Sequence, residues 1–238
     1  MSNPHFSIII PTYNREKTIE RAIDSCLNQE FNNLEIIVVD DCSSDRTVEF
    51  VKNYKDPRVQ LIQNEVNSER CISRNNGFKA SKGKYVCFLD SDDYFLPNHL
   101  ETFNVAINST QNSKALFFTN SIIERETGEQ FEKVVPPFDE ANKYEYILKY
   151  TPHPARVCIH RDILNEKQFD PRIPGLEDLD LWLRIASKFP IYHLEAITNV
   201  YYVHSESYSD GDDQRFIKEL SYHTIIENQT ELQGKLPK

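Results

Sequence analysis

"LEIIVVDD", Leu34–Asp41, decides the fold. Its middle is an unbroken apolar run, as in a strand buried on both faces, and two aspartates close it. "FSIIIP", beginning at Phe6, has the same texture and ends at Pro11. "RVQLIQN" is a third strand, shorter and more polar, and "KYVCFLD" is a fourth. The segments between them are helical. "TIERAIDSCLNQ" puts Ile19, Ala22, Ile23, Cys26 and Leu27 on one stripe. "SSDRTVEFVKNY" reads as a helix capped by Ser43 or Ser44, with Asp45 in its first turn, and "SRNNGFKASKG" as a helix ending near Gly83. Buried strands alternating with helices predict an α/β fold, a mainly parallel sheet with helices on both faces. Ligands of such sheets bind beyond the carboxyl ends of the strands. Pro11 to Asn14, Asp40-Asp41 and Asp90 to Asp93 all fall at such ends, so three segments should converge on one crevice.

The second half is less regular. "PNHLETFNVAINS" predicts a helix from Pro97, and "KALFFTN" a further strand. "VVPPFDEANK" and "DPRIPGLED" read as loops; the second leads into "EDLDLWLRIASKF", amphipathic with Leu179, Trp182, Leu183 and Ala186 on its apolar side. "NVYYVH" is a short strand, the polar "SESYSDGDDQ" a mobile loop, and the tail from Thr230 is expected to fray.

Composition limits the partners. The formal charge of −10 over 238 residues disfavours a nucleic-acid backbone. No apolar stretch is long enough to span a bilayer and no leader precedes the first strand, so membrane association would be peripheral. Five scattered cysteines without a C-x-x-C pair fit reduced thiols, and the expectation is a cytoplasmic protein.

"FLDSDDY", Phe88 to Tyr94, crowds three carboxylates into four residues, which repulsion disfavours unless a positive group is near. On an extended strand Asp90 and Asp92 would share a side, where they could hold Mg2+ or Mn2+ against a phosphate. The plainer alternative is an acidic loop that caps the next helix. The chain has only six glycines and no glycine-rich phosphate cradle, which disfavours dinucleotide and P-loop folds and leaves a cation as the natural holder of a phosphate. One of Asp40 and Asp41 is expected in an Asx turn or helix cap; the other could accept the N–H of a nucleobase.

Taken together, "SIIIPTYNREKTIERAIDSCLNQEFNNLEIIVVDDCSSDRT", "SRNNGFKASKGKYVCFLDSDDYFLP", "GLEDLDLWLRIA" and "YYVHSESYS" resemble the ordered signatures of family 2 glycosyltransferases of the GT-A fold, from about Phe6 to Tyr208. The resemblance implies one Rossmann-like GT-A domain over residues 1–238. A nucleotide-sugar half would cover roughly residues 1–120, an acceptor half residues 121–229, and a frayed tail residues 230–238. It implies inverting transfer from a nucleotide-diphosphate sugar, a UDP-sugar foremost, to a saccharide or lipid-linked saccharide acceptor in cell-surface polysaccharide assembly. Pro11, Thr12, Tyr13 and Asp41 match positions that hold the nucleobase and ribose. Arg74 lies where a basic residue approaches the nucleotide, and "NSERCIS" before it departs from the small residues many members carry there. Asp90, Ser91 and Asp92 match the D-x-D element, with Asp92 as the direct metal ligand, Asp90 beside it, and His204 within reach of the metal or diphosphate. Asp178 matches the catalytic base, with Glu177 as a supporting hydrogen-bonding residue.

The residue chemistry agrees with those roles. A single displacement needs a base for the acceptor hydroxyl and charge stabilisation for the departing diphosphate. At a helix N-terminus Asp178 is expected to stay ionised. A common alternative makes Glu177 and Asp178 ordinary helix-start acids, and His204 a packing residue. The loop Asp170 to Gly175 could border the acceptor, and Ser205 to Asp213 could close over the donor. Two rival functions are a non-catalytic nucleotide-sugar-binding module and a D-x-D phosphohydrolase with Asp90 as nucleophile. The second expects its motif on the first strand and a Thr or Val where Tyr94 stands.

Overall fold

The computed structural model describes residues 3–205 apart from Asn112 and Pro174, together with Thr224 and Ile225. Nine strands form one sheet among these residues: β1 (Phe6–Thr12), β2 (Leu34–Asp40), β3 (Val59–Gln63), β4 (Tyr85–Phe88), β5 (Tyr94–Phe95), β6 (Leu116–Arg125), β7 (Gln130–Lys133), β8 (Val157–His160) and β9 (Ile191–Val203). The order is β3-β2-β1-β4-β8-β6-β9-β5, with β7 beside β6. Following the pairings, β1, β2, β3, β4, β6 and β9 run one way and β5, β7 and β8 the other. The sheet is thus mostly parallel.

The apolar runs are buried on both faces. Ile8 and Ile10 of β1 and Ile36 and Val38 of β2 belong to one core cluster, with Ile19, Ala22, Ile23 and Cys26 of α1 (Ile19–Leu27) and Leu100, Phe103 and Ile107 of α4 (His99–Ser109). The alternate residues Ile9, Ile37 and Val39 belong to the other, with Cys71 and Phe78 of α3 (Glu69–Ala80) and the apolar side of α7 (Glu177–Ala186). The strand period of two therefore feeds two cores. Gly77 sets the height of α3 above the sheet. A Cβ there would come within 2.5 Å of Ile9 Cγ2 and 3.0 Å of Val39 Cγ2. This close seating brings Arg74, one turn earlier, to the strand ends.

Several local expectations need correction. β4 stops at Phe88, and Asp90 to Asp93 form a turn in which Asp93 N–H donates to the Asp90 carbonyl at 3.0 Å, so the alternation of an extended strand does not orient these carboxylates. The helix after β2, α2 (Thr47–Asn53), is not capped by Ser43 or Ser44. Asp45 precedes it and accepts from Thr47 N–H at 3.0 Å, while Ser43 Oγ accepts from Asn14 N–H. α3 starts five residues before Arg74 and ends at Ala80, short of Gly83. β9 runs for 13 residues rather than the six of "NVYYVH". Two helices were not anticipated, α5 (Lys143–Tyr150) and α6 (Arg161–Glu166), nor was β8. The frayed tail from Thr230 and, past Ser205, the closing loop to Asp213 lie outside the described residues.

Candidate active site

A cavity of about 590 Å3 opens beyond the strand ends, and the three segments do meet there: Pro11, Thr12 and Tyr13 at the end of β1, Asp41 after β2, and Asp90, Ser91 and Asp92 after β4. Arg74 of α3 and Glu177 and Asp178 of α7 line it as well. His204 does not; it reaches the site through Asp92, whose Oδ2 is 3.1 Å from His204 Nε2.

The crowded carboxylates are kept apart by different partners. Arg74 Nη2 donates to Asp90 at 2.7 Å. Burial raises Asp90, but the Arg74 charge outweighs it and holds the carboxyl below its usual range. Asp92 Oδ2 lies 3.7 Å from Arg15 Nε in addition to His204. Asp93 turns inward and accepts from Tyr202 N–H at 2.9 Å; burial, Asp92 and Asp90 push its pKa well above the usual value. Arg74 and Arg15 thus already offset part of the repulsion among these carboxylates.

Arg74 lines the cavity and is itself held by carboxylates. It is 1% exposed, and its two ends join Asp90 to Glu177, the latter at 2.8 Å. Burial lowers its pKa, yet the two carboxylates raise it, so it stays charged. Its guanidinium also packs 5.2 Å from the Phe169 ring centroid. Here it is a strut between two carboxylates.

Asp178 is partly exposed to the cavity and its Oδ1 accepts from Leu179 N–H at 2.7 Å. Its pKa is pushed up to about 7, by burial first and Glu177 second, against the Leu179 N–H and the Arg74 charge. The helix terminus, expected to favour the ionised form, is outweighed by desolvation and the neighbouring carboxylate.

Asp40 is the turn residue of its pair, accepting from Ser43 N–H. Asp41 is also engaged: it accepts from Ser68 N–H, Glu69 N–H at 2.8 Å and Asn64 Nδ2 at 2.7 Å, capping α3 from another segment. Three of the four non-glycine residues with positive φ among the described residues lie around this cavity: Asn14 and Cys42 in loops and Glu69 at the start of α3. Such angles cost backbone energy and gather where a site dictates geometry.

Arg15, Arg70, Lys133, Lys149, Tyr150, His153, Tyr201 and Tyr202 also line the cavity and were not singled out from the sequence. Only Arg15 carried a signal, its place just after the first strand end. Trp182 is core, as expected, donating Nε1–H to the Pro152 carbonyl. Gly175 of the Asp170 to Gly175 loop does line the cavity.

Among the described residues no three His, Cys, Asp or Glu side chains gather as a metal site. Asp92 and His204 do fit a cation that takes one or two protein ligands and completes its shell with phosphate oxygens and water.

The acids at the ends of the mostly parallel sheet and the acid pair at the start of α7 thus share one cavity. The sequence profile of glycosyl transferase family 2 matches residues 7–166, and the protein belongs to that family. Among its relatives, the Escherichia coli UDP-Glc:alpha-D-GlcNAc-diphosphoundecaprenol beta-1,3-glucosyltransferase WfaP is 32% identical over 215 residues, covering 90% of this chain and 83% of the relative. The putative colanic acid biosynthesis glycosyl transferase WcaA of Escherichia coli K12 is 29% identical over 226 residues, covering 90% and 78%. Among solved structures, S. aureus TarS 1–349 in complex with UDP-GlcNAc superposes with a TM-score of 0.72 at 23% identity, covering 95% of this chain and 72% of that one. The mannosyltransferase PcManGT of Pyrobaculum calidifontis in complex with GDP-Man and Mn2+ gives 0.68 at 17% identity, covering 95% and 64%. These two likenesses are of fold, the GT-A fold.

Proposed function

We propose that the protein transfers a sugar, with inversion, from a nucleotide-diphosphate sugar to a saccharide built on a lipid diphosphate, within cell-surface polysaccharide assembly. The observation that carries this is one cavity lined both by the strand-end acids Asp41, Asp90 and Asp92 and by Asp178, a carboxyl whose pKa stands near 7. A base with a pKa near working pH is best suited to proton transfer. A UDP-sugar is the favoured donor, since WfaP is named for UDP-Glc and a TarS structure holds UDP-GlcNAc. A lipid-linked acceptor is favoured by relatives named for diphosphoundecaprenol and PP-undecaprenol substrates.

Residues 1–120 would hold the donor and residues 121–229 the acceptor. Pro11, Thr12 and Tyr13 would flank the nucleobase and ribose, with Asp41 fixing the start of α3 beneath them. Asp178 would accept the proton of the acceptor hydroxyl as its oxygen bonds to the anomeric carbon and the bond from that carbon to the diphosphate oxygen breaks. Glu177 and Arg74 would hold Asp178 in line with Asp90. Mg2+ or Mn2+ at Asp92, with His204 beside it and Asp90 and Ser91 at its edge, would supply charge stabilisation to the departing diphosphate. A lipid-linked acceptor would be met at the membrane surface, by peripheral association at the cytoplasmic face; no described helix is long and apolar enough to cross a membrane.

Isothermal titration with UDP, GDP and dTDP, each with and without Mn2+, tests the proposal. The expected result is Mn2+-dependent binding of UDP; no binding of any of the three would contradict it. The phosphohydrolase alternative expects its motif on the first strand, whereas Asp90 follows β4, and the family match also speaks against it.

A further inference from the structure

The cavity has a second charged wall that the transfer chemistry leaves unused. Lys133 at the end of β7, the exposed Lys149 of α5 and His153 all line it. Lys133 Nζ lies 3.3 Å from His153 Nε2, and the His153 ring stacks on Tyr201 with centroids 4.6 Å apart. Lys149 Nζ stands 5.2 Å from the Tyr150 ring centroid. Arg156 lies close by, fully buried, donating Nε–H to the Thr119 carbonyl at 2.6 Å and Nη2–H to Asn120, while Nη1 has no partner.

This wall differs from the donor side in one respect. There every arginine meets a carboxylate: Arg15 meets Asp92, Arg70 meets Glu177, and Arg74 meets both Asp90 and Glu177. Among the described residues no carboxylate forms an ion pair with Lys133, Lys149 or Arg156. In a chain of formal charge −10, two lysines lining one cavity and a buried arginine, all without ion-pair acids, cost free energy unless an anion joins them. The strain registers on the groups themselves. Burial, then the Arg156 charge, pushes the Lys133 ammonium below its ordinary range, and burial brings Arg156 down to about 10.

We propose that Lys133, Lys149 and His153 seat a phosphate or diphosphate group carried by the acceptor. This deepens the transfer function and rests on it. Lysines bind phosphate as point charges and need no planar fork. A group with several negative charges also matches two ammonium groups and a nearby guanidinium better than a single carboxylate would. All of these bases come from the second half of the chain, whereas Asp41, Asp90 and Asp92 come from the first. The wall would therefore fix where the acceptor lies relative to Asp178. The donor's own diphosphate is the other source of the same chemistry, and the experiment separates them.

The full chain is titrated with inorganic pyrophosphate in metal-free buffer containing EDTA and, separately, with UDP plus Mn2+. Lys133→Met and Lys149→Met keep the side-chain stems and remove the charges; matching melting temperatures establish that the variants fold. The expected result is that the double variant loses pyrophosphate affinity by roughly tenfold or more, with UDP–Mn2+ affinity unchanged within about twofold. Lys133→Arg, which keeps the charge, should retain pyrophosphate binding. Pyrophosphate that fails to bind the native chain, or binds the double variant equally well, overturns the seat while leaving the transfer function standing. UDP–Mn2+ affinity that falls in step assigns the wall to the donor and overturns the acceptor claim. Native chain that binds pyrophosphate but none of UDP, GDP and dTDP with Mn2+ removes the transfer function, and the acceptor claim with it.

Discussion

Arg74 donates a hydrogen bond to Glu177 across 2.8 Å, although 103 positions separate them in the chain. The guanidinium is buried, and its other end holds Asp90. The start of α7, and with it Asp178, is thereby tied to the turn after β4.

Arg74→Met should break this tie and leave Glu177, which is itself buried, without its closest cation. Removing one partner of a buried ion pair costs about 3–5 kcal/mol. Urea unfolding should show the midpoint falling accordingly; a midpoint within error of the native value would show that the strut contributes nothing.

Activity should follow the ionisation of Asp178. A base must be deprotonated to act, and this carboxyl is held near 7. kcat/KM should fall about tenfold per unit below pH 7 and level off above it. Because the Arg74 charge is one of the influences that lower this pKa, a folded Arg74→Met variant should show the same profile moved to higher pH. A pH-rate profile of each protein reads both shifts.

The same carboxyl makes stability depend on pH. Its folded pKa, about 7, lies above the ordinary 3.8, so between those values the folded chain holds more protons than the unfolded one. Stability contributed by the protonated form is full below the lower value and is lost as pH rises through the upper one. Asp178→Asn cannot ionise, so without nucleotide it should melt higher than the native protein at pH 8 and show a smaller difference, or none, at pH 5. Thermal melting at the two pH values checks this.

Asp92→Asn and His204→Ala should each weaken Mn2+-dependent nucleotide binding, on the order of 10–100-fold, the usual scale for disturbing a metal's surroundings. Melting temperatures establish that each variant folds, since the His204 side chain is largely buried beside Asp92. Titration of UDP at fixed Mn2+ gives the affinities. Undiminished binding in both variants would place the cation elsewhere.

The strand ends were legible in the sequence because burial on both faces requires unbroken apolar runs, and "FSIIIP" and "LEIIVVDD" have them. The place of Asp41, Asp90 and Asp92 followed from that. What stayed hidden depends on contacts between distant segments. Nothing near Arg74 tells that it will join Asp90 to Glu177, and the pKa of Asp178 reflects burial that no local pattern encodes. The turn of Asp90 to Asp93 was misread as strand because β4 ends two residues before the first aspartate. α5 escaped notice since only Tyr146 and Ile147 of its eight residues are buried, too few for a stripe. The wall of Lys133, Lys149 and His153 draws on a strand, a helix and a loop whose charges look like ordinary surface in the linear chain.

Turnover by Asp178→Asn, measured beside its donor binding, tests the central claim most directly. With UDP-sugar and Mn2+, the variant should bind donor as the native protein does while transfer falls about 10²–10⁴-fold. Transfer at the native rate with donor binding intact would show that Asp178 does not take the acceptor's proton.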